Sequence, residues 1–219
     1  VDQEQLAPEG FTGTFDGAGH TITGYTSDVG GLFAENSGTL RNLGLADASV
    51  TNQAENTGLL VDTNRGTVEE VWTSGEITGQ ATVGGIVGYS YGTVTDTYST
   101  ADVTADGGRQ AGGVIGITAV GSITDRVYAA GSVTTVGNEP NAGGITGYAY
   151  TGTTVQNSVA LNPTVTAGSQ ASRVVGRVLN GDTATMVNNY AIETLVVDLE
   201  SVTEEGPDTQ RGATLTTQQ

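Results

Sequence analysis

The chain has no cysteine and no lysine, and only one histidine, one methionine, one tryptophan and four prolines in 219 residues. Without cysteine there are neither disulfides nor thiolate metal sites, and sulfur gives no reading of the redox compartment. Without lysine there is no P-loop and no Schiff-base or lysine-general-base chemistry, so glycine-rich stretches such as Val83–Gly88 are not phosphate cradles. Seven arginines stand against 24 acidic residues, a formal net charge of −17, which makes nucleic acid a poor partner, and no nucleic-acid role is expected. No run approaches the roughly 20 apolar residues of a membrane-spanning helix, so direct membrane insertion is not expected. The opening VDQEQLAPEG lacks the basic and apolar regions of a signal peptide, and the chain reads as a mature or excised segment. There is no Asn-x-Ser/Thr sequon with a permitted middle residue. The lone His20 cannot form a metal site with Asp16 alone and is expected to satisfy backbone groups of its turn.

What is present is glycine, 34 residues of it, with 36% hydrophobic residues that are mostly small or β-branched. Glycine follows no strict G-x-y period, so collagen is excluded, and the regular spacing of apolar positions excludes disorder. The acidic, lysine-free, Thr/Val/Ala/Gly-rich composition resembles that of proteins working in molar salt, where charge repulsion is screened within about 3 Å. An acidic extracellular protein at ordinary salt is the other reading.

The stretch VGGIVGYSYGTVTDTYSTADV (83–103) recurs upstream and downstream. Its marks are Gly-Gly-aliphatic-x-Gly, a Gly-Thr-Val step, and an aromatic followed five residues later by an aliphatic. Aligned on the aliphatic after the small pair, the units stand at Leu32, Leu59, Ile86, Val114, Ile145 and Val174. A second aliphatic column reads Val50, Ile77, Val103, Val133, Val165 and Leu195, and the aromatic column Leu45, Trp72, Tyr98, Tyr128, Val159 or Ala160, and Tyr190. A period in the high twenties admits leucine-rich repeats or β-solenoid coils. Frequent glycine and β-branched apolar residues disfavour helix, so the expectation is an all-β parallel β-solenoid of about six to seven coils with three short strands each, stacked at ~4.8 Å. Residues 1–10 form a lead-in, 11–28 a first atypical coil, 29–197 the repeats, and 198–219 an acidic tail or cap. Gly38, Gly66, Gly92, Gly121, Gly152 and Gly181 align as corner glycines, followed by a hydroxyl-rich column, Thr39, Thr67, Thr93, Ser122, Thr153 and Asp182. Length variation falls after the third strand, as in Gly137–Asn141.

VGGIVGYSYGTVTDTYSTADV and AGGVIGITAVGSITDRVYAAGSV resemble the GLUG repeat, of form GGLVG, turn, G-x-I, an Asn-Ser-Tyr-like triplet and G-x-V. EGFTGTFDGAGHTITGY resembles the segment that commonly precedes such repeats, and GATLTTQQ one that follows them. The resemblance covers residues 8–197. It implies a right-handed β-helix within large secreted or cell-surface proteins, chiefly adhesins, with no catalytic residues in the repeat. Two departures stand out: Thr57-Gly58 for Gly-Gly in the second unit, and Ser172-Arg173 in the last. The Asn that opens the triplet is Asn42 in the first unit, with Glu70, Asp96 and Asp125 aligned to it in the next three.

Stacked carboxylates about 5 Å apart repel, so Glu70, Asp96 and Asp125 either face salt-rich solvent or form a ladder for Ca²⁺ or Na⁺; no other cofactor is implied. Tyr89, Tyr91, Tyr148 and Tyr150 flank the first-strand corner in two units and either stack on sugar rings or serve as packing lids. The threonine columns are good strand formers and could also present a flat face to ordered water or crystalline polysaccharide. The reading that follows is a non-enzymatic structural or adhesive module of a larger extracellular surface protein, partnered by surface glycans, other cell-surface proteins and further domains of its own polypeptide. A viral fibre or filament subunit would use the same architecture, and a polysaccharide-active β-helix enzyme is the reading from another class.

Overall fold

The computed structural model describes residues 4–137, 140–179, 184–200 and 204–216, and the regular elements among them are β-strands. Pairing between coils is parallel, each strand bonded to its counterpart one coil earlier and one coil later. The result is a parallel β-solenoid of about six turns. One face is a six-stranded sheet of Phe33–Asn36, Val61–Asn64, Val87–Ser90, Ile115–Thr118, Thr146–Ala149 and Val175–Val178, which mark coils one to six. The other strands join in a second sheet that wraps the rest of the rod.

The central coils contain five short segments rather than three strands. Coil four runs Gln110–Gly112, Ile115–Thr118, Ile123–Asp125, Tyr128–Ala129 and Val133–Val136. The extra break after Asp125 has a local cause. Asn42, Glu70, Asp96, Arg126, Asn157 and Asn188 all lie in the left-handed region, with φ between 52° and 55°. That conformation bends the backbone once per coil, with the strand broken there in the later coils while Thr39–Asn52 and Thr67–Gly79 run through it, and it suits Asn and Asp best, which is why the triplet opens with Asn; Glu70 and Arg126 hold it at a cost of about 1 kcal/mol each.

Inside, side chains of one column stack on the same column of the next coil. Leu32, Leu60, Ile86, Val114, Ile145 and Val174 form one buried ladder, and Val50, Ile77, Val103, Val133 and Val165 another. Each buried aliphatic side chain contributes roughly 1.5–3 kcal/mol. The register corrects the sequence alignment by one or two residues in three places. Val61 pairs with Val87, so Leu60 and not Leu59 belongs to the first column. Gly44 and not Leu45 pairs with Trp72, and Val197 and not Leu195 pairs with Val165. Val159 is the column residue opposite Tyr128.

The aligned glycines do two different jobs. A Cβ on Gly38, Gly66 or Gly92 would lie 1.9–2.0 Å from a carbonyl oxygen of the preceding coil, so these positions exist for close backbone stacking. Gly121 and Gly152 have open space around them and φ of 82° and 75°, and serve left-handed turns. Their place beside Gly92 is taken by Ser122 and Thr153, because Thr93 pairs with Ile123 and Ile123 with Thr154. The outward hydroxyl column therefore reads Thr39, Thr67, Thr93, Ile123, Thr154 and Thr185. Gly181 and Asp182 lie outside the described residues.

Both ends of the rod are stapled by a charged residue in a place where the repeat has glycine. Asp62 occupies the position of Gly88, Gly116, Gly147 and Gly176. Its carboxylate accepts the Gly31 and Gly58 N–H groups at 2.9 and 3.2 Å and the Gln5 side-chain amide at 2.9 Å. Gln5 also donates to the Gly31 carbonyl, while Ala7 and Phe11 form bridges to Phe33 and Asn36. The lead-in is thus part of the first coil from about Leu6, whose N–H donates to the Leu32 carbonyl. Within that coil it is Asp16, not the exposed His20, that holds the turn: its carboxylate accepts the Ala18 N–H at 2.8 Å and is kept below the usual carboxylate range chiefly by that bond. At the other end Arg173, 4% exposed, stands where the second glycine of the pair stands elsewhere. Its guanidinium donates to the Arg211 and Gly212 carbonyls, Thr214 Oγ1 and Glu205 Oε1 at 2.9–3.3 Å. These bonds clamp residues 205–214, and Ala213–Leu215 adds a parallel strand to Tyr190–Ile192. Residues 204–216 of the acidic segment thus pack on the last coil.

Candidate functional site

The outward face of the six-stranded sheet carries two neighbouring columns. Along the strands run Thr63, Tyr89, Ile117, Tyr148 and Arg177. At the following corner the matching N–H bonds align Arg65, Tyr91, Ala119 and Tyr150. Tyrosine pairs therefore sit on coils three and five, ~9.6 Å apart by the strand spacing, with the small or aliphatic pair Ile117 and Ala119 between them. Strand-period alternation dictates this: Tyr89 and Tyr91 are two apart and share one side, as are Tyr148 and Tyr150.

The arrangement is a groove built from two adjoining cavities. One, about 340 Å³, is lined by Arg65, Tyr89, Tyr91 and Glu55 among others, and the second, about 240 Å³, by Tyr148, Arg177 and Asn141; Arg109, Gln110, Ile117 and Tyr150 line both. The side wall is the outward row Asn56, Thr82, Gln110 and Asn141 of the first segment of each coil. Ile117 and Tyr148, 7% and 8% exposed, form the floor, whereas Tyr91 is 43% exposed. The rings of Tyr89 and Tyr91 stack at 4.8 Å between centroids, and Tyr148 and Tyr150 meet edge-on at 5.2 Å. Arg65 lies 4.5 Å over the Tyr91 ring and Arg177 5.8 Å over Tyr148. Burial, and then the adjacent phenols of Tyr91 and Tyr150, push the Tyr89 phenol up, so it stays protonated and able to donate. The four tyrosines expected from the sequence are thus brought together in one place. Tyr148 is mostly packed into the floor, Tyr91 is exposed, and Tyr89 and Tyr150 are half-buried. The arginines of the groove went unread in the sequence because they come from different columns, and only the coil stacking unites them.

Glu70, Asp96 and Asp125 do not form one ladder. Asp125 pairs with Thr95, one residue before the left-handed column, and Arg126 takes its place. Arg126 Nε donates to Asp96 Oδ1 at 2.6 Å and Nη2 to Asp96 Oδ2 at 2.7 Å, a bidentate contact, and Nη1 reaches Asp125. The positive charge expected between the carboxylates is a guanidinium of the chain itself, whose hydrogen bond chiefly holds the Asp96 carboxyl below its ordinary value. Asn157 donates to Asp125 and Asn188 to Asn157, extending the side-chain ladder along the rod. Among the described residues no three His, Cys, Asp or Glu side chains gather into a metal site.

A second aromatic feature lies on the other sheet. Trp72, Tyr98 and Tyr128 stack nearly parallel, with interplanar angles of 8° and 5°. Their faces are occupied by one another, and Gly44 below Trp72 is required, since a Cβ there would lie 2.5 Å from the indole ring.

Comparison with known proteins agrees with this architecture. The model of the GLUG motif matches residues 79–104. Halomucin of Haloquadratum walsbyi is 42% identical over 87 residues, which span 36% of this chain and 1% of that protein. A crystal structure from Bacteroides ovatus, of a protein provisionally described as an immunoglobulin A1 protease, superposes with a TM-score of 0.79 at 24% identity over 99% of this chain and 74% of that one. At that identity the likeness is one of fold alone. The chain carries the GLUG motif on a parallel β-solenoid, and its curated relative is a far larger protein.

Proposed function

We propose that the chain is a non-enzymatic, structural and adhesive module of a larger extracellular surface protein, and that it attaches to surface glycans through the tyrosine-lined groove. The observation that carries this reading is the groove itself. Tyrosine pairs presented at a two-coil interval on a rigid sheet give apolar area at low entropic cost, with the half-buried polar side chains of Asn56, Thr63 and Gln110 beside them for sugar hydroxyls. The GLUG motif and the likeness to a segment of halomucin support placement outside the cell within a longer polypeptide. The two stapled ends support a scaffold role, because they close the sheet edges that would otherwise pair with other chains. Repeated coils between such ends make a stiff spacer.

The test is a glycan array in molar salt with the full chain and with Tyr91→Ala/Tyr150→Ala. Retention of the parent chain on a subset of glycans, weakened at least tenfold in the variant, is the expected result. Equal retention of both proteins would reject the groove as the attachment site. Release of reducing ends or unsaturated uronates from any retained glycan would replace the adhesive reading with an enzymatic one.

A further inference from the structure

The seven arginines of this acidic chain are not equally spoken for. Arg41 pairs with Asp16 and Glu69, Arg65 with Glu35, Arg126 with Asp96 and Asp125, and Arg173 and Arg211 with Glu205. Arg109 and Arg177 have no carboxylate within ion-pair distance among the described residues, and both line the 240 Å³ cavity. Among the described residues that cavity has no acidic side chain in its lining: Gln110, Ile117, Asn141, Tyr148 and Tyr150 complete it. In a chain with 24 acidic side chains and a net charge of −17, two guanidiniums without an ion-pair partner among the described residues, side by side in one cavity, form a local inversion of charge.

We infer that the groove selects anionic polysaccharide, a chain whose uronate or sulfate groups enter the Arg109 and Arg177 cavity while its sugar rings lie on the tyrosine pairs. This rests on the adhesive reading above and names its ligand class. A guanidinium presents a planar fork that binds carboxylate or sulfate in a bidentate manner, which survives screening better than a point charge does. Arg177 is held against the Tyr148 ring, so its orientation is set before the ligand arrives. Arg109 projects from the corner that precedes Gln110–Gly112 and is exposed, so it closes over the groove from the side wall. The ~9.6 Å between tyrosine pairs is about the advance of two sugar rings in an extended chain, which would present an anionic group of an alternating polymer to the same cavity at each repeat. Elsewhere the acidic surface repels such a polymer, so binding is confined to this groove and its register. An acidic peptide would satisfy the arginines but would leave the ring-sized tyrosine spacing unused.

The experiment is titration calorimetry of the full chain with four soluble polymers: polygalacturonate for carboxylate, dextran sulfate for sulfate, neutral dextran, and polyglutamate. The variant is Arg109→Gln/Arg177→Gln, with its fold checked by circular dichroism; both side chains reach the surface, and neither makes an ion pair among the described residues. The expected result is binding to polygalacturonate, dextran sulfate or both, at least tenfold tighter than to dextran and polyglutamate, and at least tenfold weaker in the variant. Which anionic polymer binds assigns the group. Equal binding of dextran, or an unaffected variant, overturns the anionic selection while leaving glycan attachment standing. Preference for polyglutamate overturns it in favour of an acidic peptide. Failure of every glycan to bind overturns both this inference and the adhesive reading.

Discussion

Asp62 makes stability depend on pH in a direction opposite to that of most carboxylates. It stands in a glycine position, and burial pushes its carboxyl from the model-peptide value of 3.8 up to about 6 against the opposing pull of the Gly31 and Gly58 N–H groups. The folded state therefore binds this proton more tightly than the unfolded state does. Stability from this group is fully present below about pH 4 and is lost as pH rises through about 6. The difference between 3.8 and about 6 corresponds to about 3 kcal/mol, reduced to about 1–3 kcal/mol because the residue is only half-buried. For a chain of this size that is about 2–10 °C in Tm. Mutual repulsion of the other carboxylates also weakens the fold as pH rises, so the informative quantity is the difference between the parent and Asp62→Asn. Thermal melts followed by far-UV circular dichroism from pH 4 to 8 at constant salt are expected to show the parent losing more Tm between pH 4.5 and 7 than the variant. Asn keeps an oxygen for the two N–H groups and removes the titration; the Gln5 bond to the second oxygen is lost as well, which lowers the variant's Tm at every pH without changing its slope. Parallel curves for the two proteins would refute the assignment, and with it the view that the N-terminal staple carries a buried charge.

Other outcomes follow from single contacts. Thr124 sits in the buried column with Leu40, Val68, Val94 and Val155, and its hydroxyl has no partner, so Thr124→Val is expected to raise stability by about 1 kcal/mol in a thermal melt. Gly112→Ala would put a Cβ 1.9 Å from the Ile115 carbonyl oxygen and is expected to cost at least about 3 kcal/mol, or abolish soluble expression; a near-parental melt would contradict the stacking account. Arg173→Gly, which restores the repeat glycine, is expected to release the 205–214 cap, expose the edge strand Tyr190–Ile192 and produce concentration-dependent association in light scattering. Arg126→Asn keeps a residue suited to φ 52° but removes the bridge to Asp96, so stability is expected to change by under about 1 kcal/mol at high salt and to fall more steeply as salt is removed.

Fold and period were readable because each coil repeats the same buried columns and the same close-approach glycines. Register was less so, and the reason is visible at one corner. Between Ser90 and Thr93 lie two residues, Tyr91 and Gly92; between Thr118 and Ile123 lie four, 119–122. Counting four residues on from each glycine therefore lands on Asp96 in one coil and on Asp125, one short of Arg126, in the next. An expected triple carboxylate thus turned out to be an ion pair. The tyrosine site was readable because Tyr89 and Tyr91, like Tyr148 and Tyr150, are adjacent in sequence and two apart. Arg109 and Arg177 could not be joined to it without the stacking, since 68 positions separate them and they belong to different segments.

The two corners that bracket the tyrosine-bearing strands are also where the central coils differ in length. The entering connection grows from residues 80–81 to 107–109 to 137–140, and the leaving one from two residues to four. Those corners supply Arg109, Tyr91 and Tyr150. Insertions there alter the walls of the groove while every hydrogen-bonded ladder keeps its register. Length at these corners is therefore uncoupled from the buried columns, as loop length is from the sheets of a fixed sandwich.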